Sequence, residues 1–188
     1  MPKILVICLV SCLCLAGTAA AGDSSAYIQR AAFSFMNEDY TQAIADLRQA
    51  LEETFNKAPL TLNNITWITE PPQGYGMYDP RGSNVFDPAE PILIYFEPVG
   101  YTIKKIGLFY NFKLFADFAV LDKKGKVLGS QKNFARYQVQ SRSIQTEYPM
   151  FFTFNFRELP AGSYTLQITV HDANSGKKAA LTKVFEKR

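Results

Sequence analysis

The chain has 188 residues, 47% hydrophobic and 14% aromatic, enough for one good-sized core and a small appendage. Its formal net charge is +3, and no basic–aromatic motif of a nucleic-acid binder accompanies it, so nucleic acid is excluded as the expected partner. All three cysteines, Cys8, Cys12 and Cys14, precede Leu15, so the rest of the chain can form no disulfide, thiol nucleophile or cysteine metal site.

Residues 1–21 have the pattern of a cleavable signal peptide: Lys3, an apolar run from Ile4 to Ala16, then small residues through Gly22. Thr18-Ala19-Ala20 and Ala19-Ala20-Ala21 both fit the small-x-small rule, which places cleavage after Ala20 or Ala21. The run is shorter than the roughly 20 apolar residues of a membrane span. The expected location is therefore exported, periplasmic or extracellular, with no transmembrane helix in the mature chain. Leu9-Val10-Ser11-Cys12 also resembles a bacterial lipobox, which implies a lipid anchor at Cys12 as the alternative.

Residues 23–60 read as a helical hairpin. Ser24 or Ser25 can cap the first helix, and Asn37-Glu38-Asp39 interrupts it. Tyr40, Ala43, Ile44, Leu47, Ala50, Leu51 and Phe55 then recur at spacings of three and four, and Pro59 ends the segment. Asp39-Tyr40-x-x-Ala43-Ile44-x-x-Leu47-x-x-Ala50-Leu51, with Ala31 at the crossing, resembles a single tetratricopeptide repeat. The resemblance implies close helix approach at the alanines, with Tyr40 and Leu47 filling the seam. Such units need about three copies to bury a continuous core, and no second copy follows.

Residues 61–188 read as strands: Ile65–Ile68, Ile92–Val99, Leu108–Asp122, Phe134–Gln140, Met150–Phe156, a strand running on from Tyr164, and Ala179–Phe185. The third alternates Tyr110, Phe112, Leu114, Ala116, Phe118 and Val120 against Lys113 and Asp117, the period of a half-buried strand. About seven strands without intervening helices predict a mainly β fold, an antiparallel β-sandwich. Leu159-Pro160-Ala161-Gly162-Ser163-Tyr164-x-Leu166-x-Ile168-x-Val170-x-Asp172 resembles the last hairpin of bacterial immunoglobulin-like domains, and Phe86-Asp87-Pro88-x-Glu90-Pro91-Ile92 resembles an early strand entry of the same domains. The resemblance implies an immunoglobulin-like sandwich and no particular function.

Residues 70–91 stand out as a long loop rich in proline and glycine. Tyr75, Tyr78, Arg81 and Asn84 are its candidate ligand-binding residues, since tyrosine and arginine beside glycines favour contact surfaces. The other reading is a strap over a sheet edge with its tyrosines packed on the sandwich.

Charge is unevenly spread: Asp23 to Glu90 holds ten acidic and four basic residues, Pro91 to Arg188 seven acidic and fifteen basic. Two solvated surfaces of opposite sign, or a basic β-domain facing an anionic partner, both fit this division.

No catalytic, metal or cofactor site is expected. His171 is the only histidine and falls on the polar phase of its strand, without a nucleophile motif. Glu97 and Asp117 are the acids nearest apolar phases, yet nothing in the sequence brings them together, and both read as solvated. Asn64-Ile65-Thr66 fits an N-glycosylation acceptor, relevant only on a eukaryotic secretory route. The expected function is a non-enzymatic envelope or secreted interaction module that binds a protein, glycan or other anionic partner. A carbohydrate-binding accessory domain and a structural envelope component are the alternatives.

Overall fold

The computed structural model describes residues 24–188. The expected signal segment, its cleavage sites and the lipobox cysteine Cys12 lie outside the described residues.

Two helices open the described chain, α1 (Ser24–Met36) and α2 (Tyr40–Lys57). The break falls at Asn37-Glu38-Asp39: Glu38 takes a left-handed φ of 61°, and the Asp39 side chain accepts from the Gln42 N–H to cap α2. The hairpin seam is narrow, built from the buried Ala31, Ser34, Ala43, Asp46 and Ala50. Tyr40 and Leu47, expected to fill it, are instead half exposed, because the alanines bring the helices too close to leave them room.

Nine strands follow: β1 (Thr61–Ile68), β2 (Val85–Phe86), β3 (Ile92–Val99), β4 (Lys104–Ile106), β5 (Phe109–Asp122), β6 (Val127–Ser141), β7 (Met150–Phe154), β8 (Gly162–Asp172) and β9 (Lys178–Lys187). One sheet has the order β1-β3-β7. The other runs β2-β9-β8-β5, with β4 continuing the β8 edge of β5 and β6 along its opposite edge. Every pairing is antiparallel except the two-residue β2–β9 contact. β1-β3-β7 facing β6-β5-β8-β9 is the A-B-E and C′-C-F-G arrangement of an immunoglobulin-like sandwich. The short β2 and β4 were not legible as strands, and β6 extends well before Phe134, where both faces are exposed and no apolar–polar alternation marks the strand.

The core lies between the sheets. Ile92, Ile94 and Phe96 of β3 meet Phe112, Leu114 and Ala116 of β5 and Leu166, Ile168 and Val170 of β8 in one buried cluster. The expected alternation of β5 holds, with Phe112, Leu114, Ala116 and Val120 buried and Lys113 exposed. Tyr164 stands at the start of β8, and its hydroxyl donates to the Pro160 carbonyl at 2.7 Å, the tyrosine corner of such sandwiches. Tyr164→Phe keeps the ring against Phe185 and loses only this bond; chemical denaturation should show a loss of about 1 kcal/mol.

The hairpin joins the sandwich through the end of α2. Phe55 enters the core and packs edge-on against Tyr101 at 4.9 Å. The Ile103 N–H donates to Asn56 Oδ1, and Lys177 Nζ donates to the carbonyls of Asn56 and Gly100.

Candidate functional site

β3 reads as a near-continuous apolar run because both its faces are covered. Ile92, Ile94 and Phe96 enter the main core, while Leu93 and Tyr95 form a second cluster with Ile68, Tyr78 and Phe151. The cover on that second face is the 70–91 segment. Tyr78 packs on Tyr95 with ring centroids 4.1 Å apart, and the Gly76 N–H donates to the Tyr95 hydroxyl at 2.8 Å. Tyr95 in turn donates to Glu97 Oε1 at 2.7 Å, and Asn64 Nδ2 donates to Glu97 Oε2 at 2.6 Å. Glu97 is therefore buried, not solvated as its sequence context suggested: the strap closes over this face, and Tyr95 of β3 and Asn64 of β1 supply its donors. Asn64 reaches it from a β1 irregularity, at a left-handed φ of 52° that asparagine tolerates. Burial, and secondarily Glu97, pushes the Tyr75 phenol above its ordinary pKa, and burial with the Glu97 hydrogen bond raises Tyr95 further.

Arg81 and Asn84 lie at the other end of the strap. Arg81 Nη1 pairs with Glu90 Oε1 at 2.6 Å, Nε and Nη2 donate to the carbonyls of Ser83 and Val85, and the guanidinium lies over the Phe86 ring. Asn84 Nδ2 donates to the Val184 carbonyl, and its own carbonyl accepts from the Glu186 N–H. Lys187, its pKa lowered by burial, donates to the carbonyls of Asp87 and Pro88. Tyr75 and Tyr78 thus bear on Tyr95 and Glu97, whereas Arg81 and Asn84 bear on the β2–β9 ladder. The open side of the strap carries a cleft of about 330 Å³ with Glu70, Gln73, Asp79 and Tyr78 among its lining.

The free surface with the most distinctive chemistry lies on β6. This strand pairs with β5 alone, so among the described residues its outer edge is open. From Lys123 to Thr146 the chain has six basic residues and no acid. Among the described residues, none of Lys126, Lys132, Arg136 and Arg142 is in an ion pair. Antiparallel register sets Phe115 opposite Arg136 and Lys113 opposite Gln138, and a cavity of about 170 Å³ lies between Lys113, Phe115, Arg136 and Gln138. Sequence alternation had put Lys113 on the polar face; what it lacked was the register that brings Arg136 beside it.

His171 flanks this surface from β8, its ring stacked on Phe115 at 4.5 Å and Nε2 2.9 Å from Asp117 Oδ2. The Asn133 N–H donates to Asp117 Oδ1, and this bond, with His171, holds the Asp117 carboxyl below the usual carboxylate range. Asn133 sits at a φ of 53° where the β5–β6 register shifts, so Asp117 ties the β6 bulge to the sheet. Among the described residues no three of His, Cys, Asp or Glu converge as metal ligands, and no helix is long and apolar enough to cross a membrane.

No protein-family model matches the chain, and no curated protein matches it in sequence. Solved structures match distantly. The alkylpurine DNA glycosylase AlkC of Pseudomonas fluorescens, bound to DNA with an abasic-site analogue, is 12% identical over 82% of this chain and 39% of its own, at a TM-score of 0.39. The Bacillus subtilis sporulation control protein Spo0M is 10% identical over 70% of this chain and 50% of its own, at 0.36. An immunoglobulin-like protein of Pseudomonas aeruginosa is 12% identical over 70% of this chain and 98% of its own, at 0.35. The chain thus spans half or less of the first two proteins.

Proposed function

We propose that this is an exported, non-enzymatic interaction module whose sandwich receives an acidic, extended segment of a partner protein along β6. The observation that carries the reading is the open edge of a 15-residue strand flanked by unpaired basic residues and no acid. An open edge offers a ladder of backbone donors and acceptors to an incoming strand. Lysine and arginine along it repel a second copy of the same edge and attract an acidic strand, so one set of charges supplies both exclusion and selection. The cavity between Lys113 and Arg136 gives one carboxylate a seat beside the edge. The strap, by contrast, has its tyrosines and Arg81 committed to internal contacts.

The test is fluorescence anisotropy with a labelled ten-residue peptide alternating valine and glutamate. Binding is expected to weaken as salt rises, and Lys132→Glu with Arg136→Glu should weaken it by about tenfold or more. The same peptide methylated at alternate backbone nitrogens should lose binding, since strand addition rests on main-chain hydrogen bonds. Charge reversal without effect overturns the reading. So does equal binding of the methylated peptide or of an acidic glycan, which would leave an electrostatic patch without strand pairing.

A further inference from the structure

The helical hairpin has two unlike faces. One carries the Arg30–Asp46 ion pair, Gln42 and Phe33 around an open groove. The other is apolar: Ile28, Phe35 and Met36 of α1 and Ile44, Leu47 and Leu51 of α2 are each at least half exposed. Beyond Phe55, no hairpin residue belongs to the sandwich core, so the sandwich does not cover this second face.

The geometry points to a second copy of this chain as its occupant, the two hairpins packing face to face about a two-fold axis into a four-helix interface. Two observations select that occupant. Tyr40, Ile44, Leu47 and Leu51 follow at intervals of four, three and four, the seam spacing of helices that pack on helices at a shallow angle. Beside this ridge lies a hollow of about 340 Å³ floored by Ala31, Ala32 and Ala43 and walled by Ile28, Phe35 and Leu47. A ridge and a hollow on one surface can each receive the other across a two-fold, the self-complementarity an isologous dimer requires.

The area also fits. The six side chains of this face and the Tyr40 ring, each at least half exposed, together present roughly 700 Å², close to the ~800 Å² per partner of a standard interface. That exceeds the few hundred Å² of contiguous apolar surface a soluble monomer ordinarily shows.

Charge argues against a lipid surface. From Ser24 to Lys57 the hairpin has three basic and five acidic residues, whereas helices that lie on anionic membranes are rich in lysine and arginine.

Sedimentation velocity of the purified chain at about 10–100 µM, a range suited to a standard-size interface, should show a dimer. Phe35→Glu with Leu47→Glu places like charges against each other across the axis and should weaken dimerisation at least about 100-fold, with unchanged helical circular dichroism. Should that variant lose helicity, Phe35→Ala with Leu47→Ala removes contact area without adding charge and should still weaken the dimer by about tenfold. Phe33→Glu, on the opposite face, should stay dimeric. A monomeric wild-type chain overturns the inference, leaving the face to another protein. A dimer untouched by either double variant overturns it equally, since the contact must then lie elsewhere.

Discussion

Gly100→Ala is expected to destabilise the fold by about 3 kcal/mol or more, because two separate penalties fall on one residue. Gly100 has a φ of +82°, a region that costs a residue with a Cβ ~1–2 kcal/mol. An added Cβ would also lie 2.2 Å from the Pro59 carbonyl oxygen and 3.0 Å from its carbon. Those are backbone atoms, so relief requires moving the linker between α2 and β1. The linker is not free to move: Phe55 and Leu60 on either side of it are in the core, and Lys177 holds the carbonyls of Asn56 and Gly100 together. Gly125 supplies the internal control, with the same φ of +82° and nothing within 4 Å of an added Cβ. Gly125→Ala should therefore show the backbone penalty alone, and the difference between the two in urea unfolding measures the steric clash. Equal costs would mean that the linker yields freely. Amide exchange at Ile103, whose N–H donates to Asn56 Oδ1, should accelerate in Gly100→Ala and stay unchanged in Gly125→Ala.

The same region shows what a sequence discloses and what it withholds. Alternation along β5 and β8 was plain because each has one face in the core and one outside. The Pro160-Ala161-Gly162-x-Tyr164 turn was plain because a tyrosine corner uses local residues, with donor and acceptor four positions apart. Contacts made across the chain were not plain. Lys177 reaches Asn56, 121 residues away, and nothing in Asn174-Ser175-Gly176-Lys177 distinguishes that lysine from a solvated turn residue. Helical periodicity located α2 but could not say which of its apolar residues face α1. A seam of alanines and one buried ion-paired acid turned Ile44, Leu47 and Leu51 outward. The basic β6 edge lay between these cases. Its charge was countable in the sequence, but its openness depends on β6 ending the strand order, a property of topology and not of composition.

Glu97→Ala is the second substitution with a large expected effect. Glu97 sits on the face of β3 opposite the core, at 2% exposure, and accepts from Tyr95 and Asn64. Hydrogen bonds to a charged acceptor contribute about 1.5–3 kcal/mol each; Asn64 is exposed and can turn to water, whereas the Tyr95 hydroxyl stays enclosed, so removing the carboxylate should cost about 2–3 kcal/mol. Glu97→Gln keeps one acceptor oxygen but turns an amide donor toward either Asn64 or Tyr95, and about half that loss is expected. Tyr95→Phe tests the same network from the other side: it keeps the ring against Tyr78, frees Glu97 Oε1 and leaves the Gly76 N–H without its acceptor. The two substitutions share one bond, so the double variant should be less destabilised than the sum of the singles by about 1 kcal/mol or more. Limited proteolysis supplies the spatial readout. With Glu97 gone, cleavage should rise between Glu70 and Asp79, where Gly76, Tyr75 and Tyr78 lose their common anchor. It should not rise between Arg81 and Glu90, where the Arg81–Glu90 pair and the β2–β9 ladder are untouched. Cleavage that rises across both halves together would show that the strap opens as one cooperative unit, so that the carboxylate beneath one end holds the other as well.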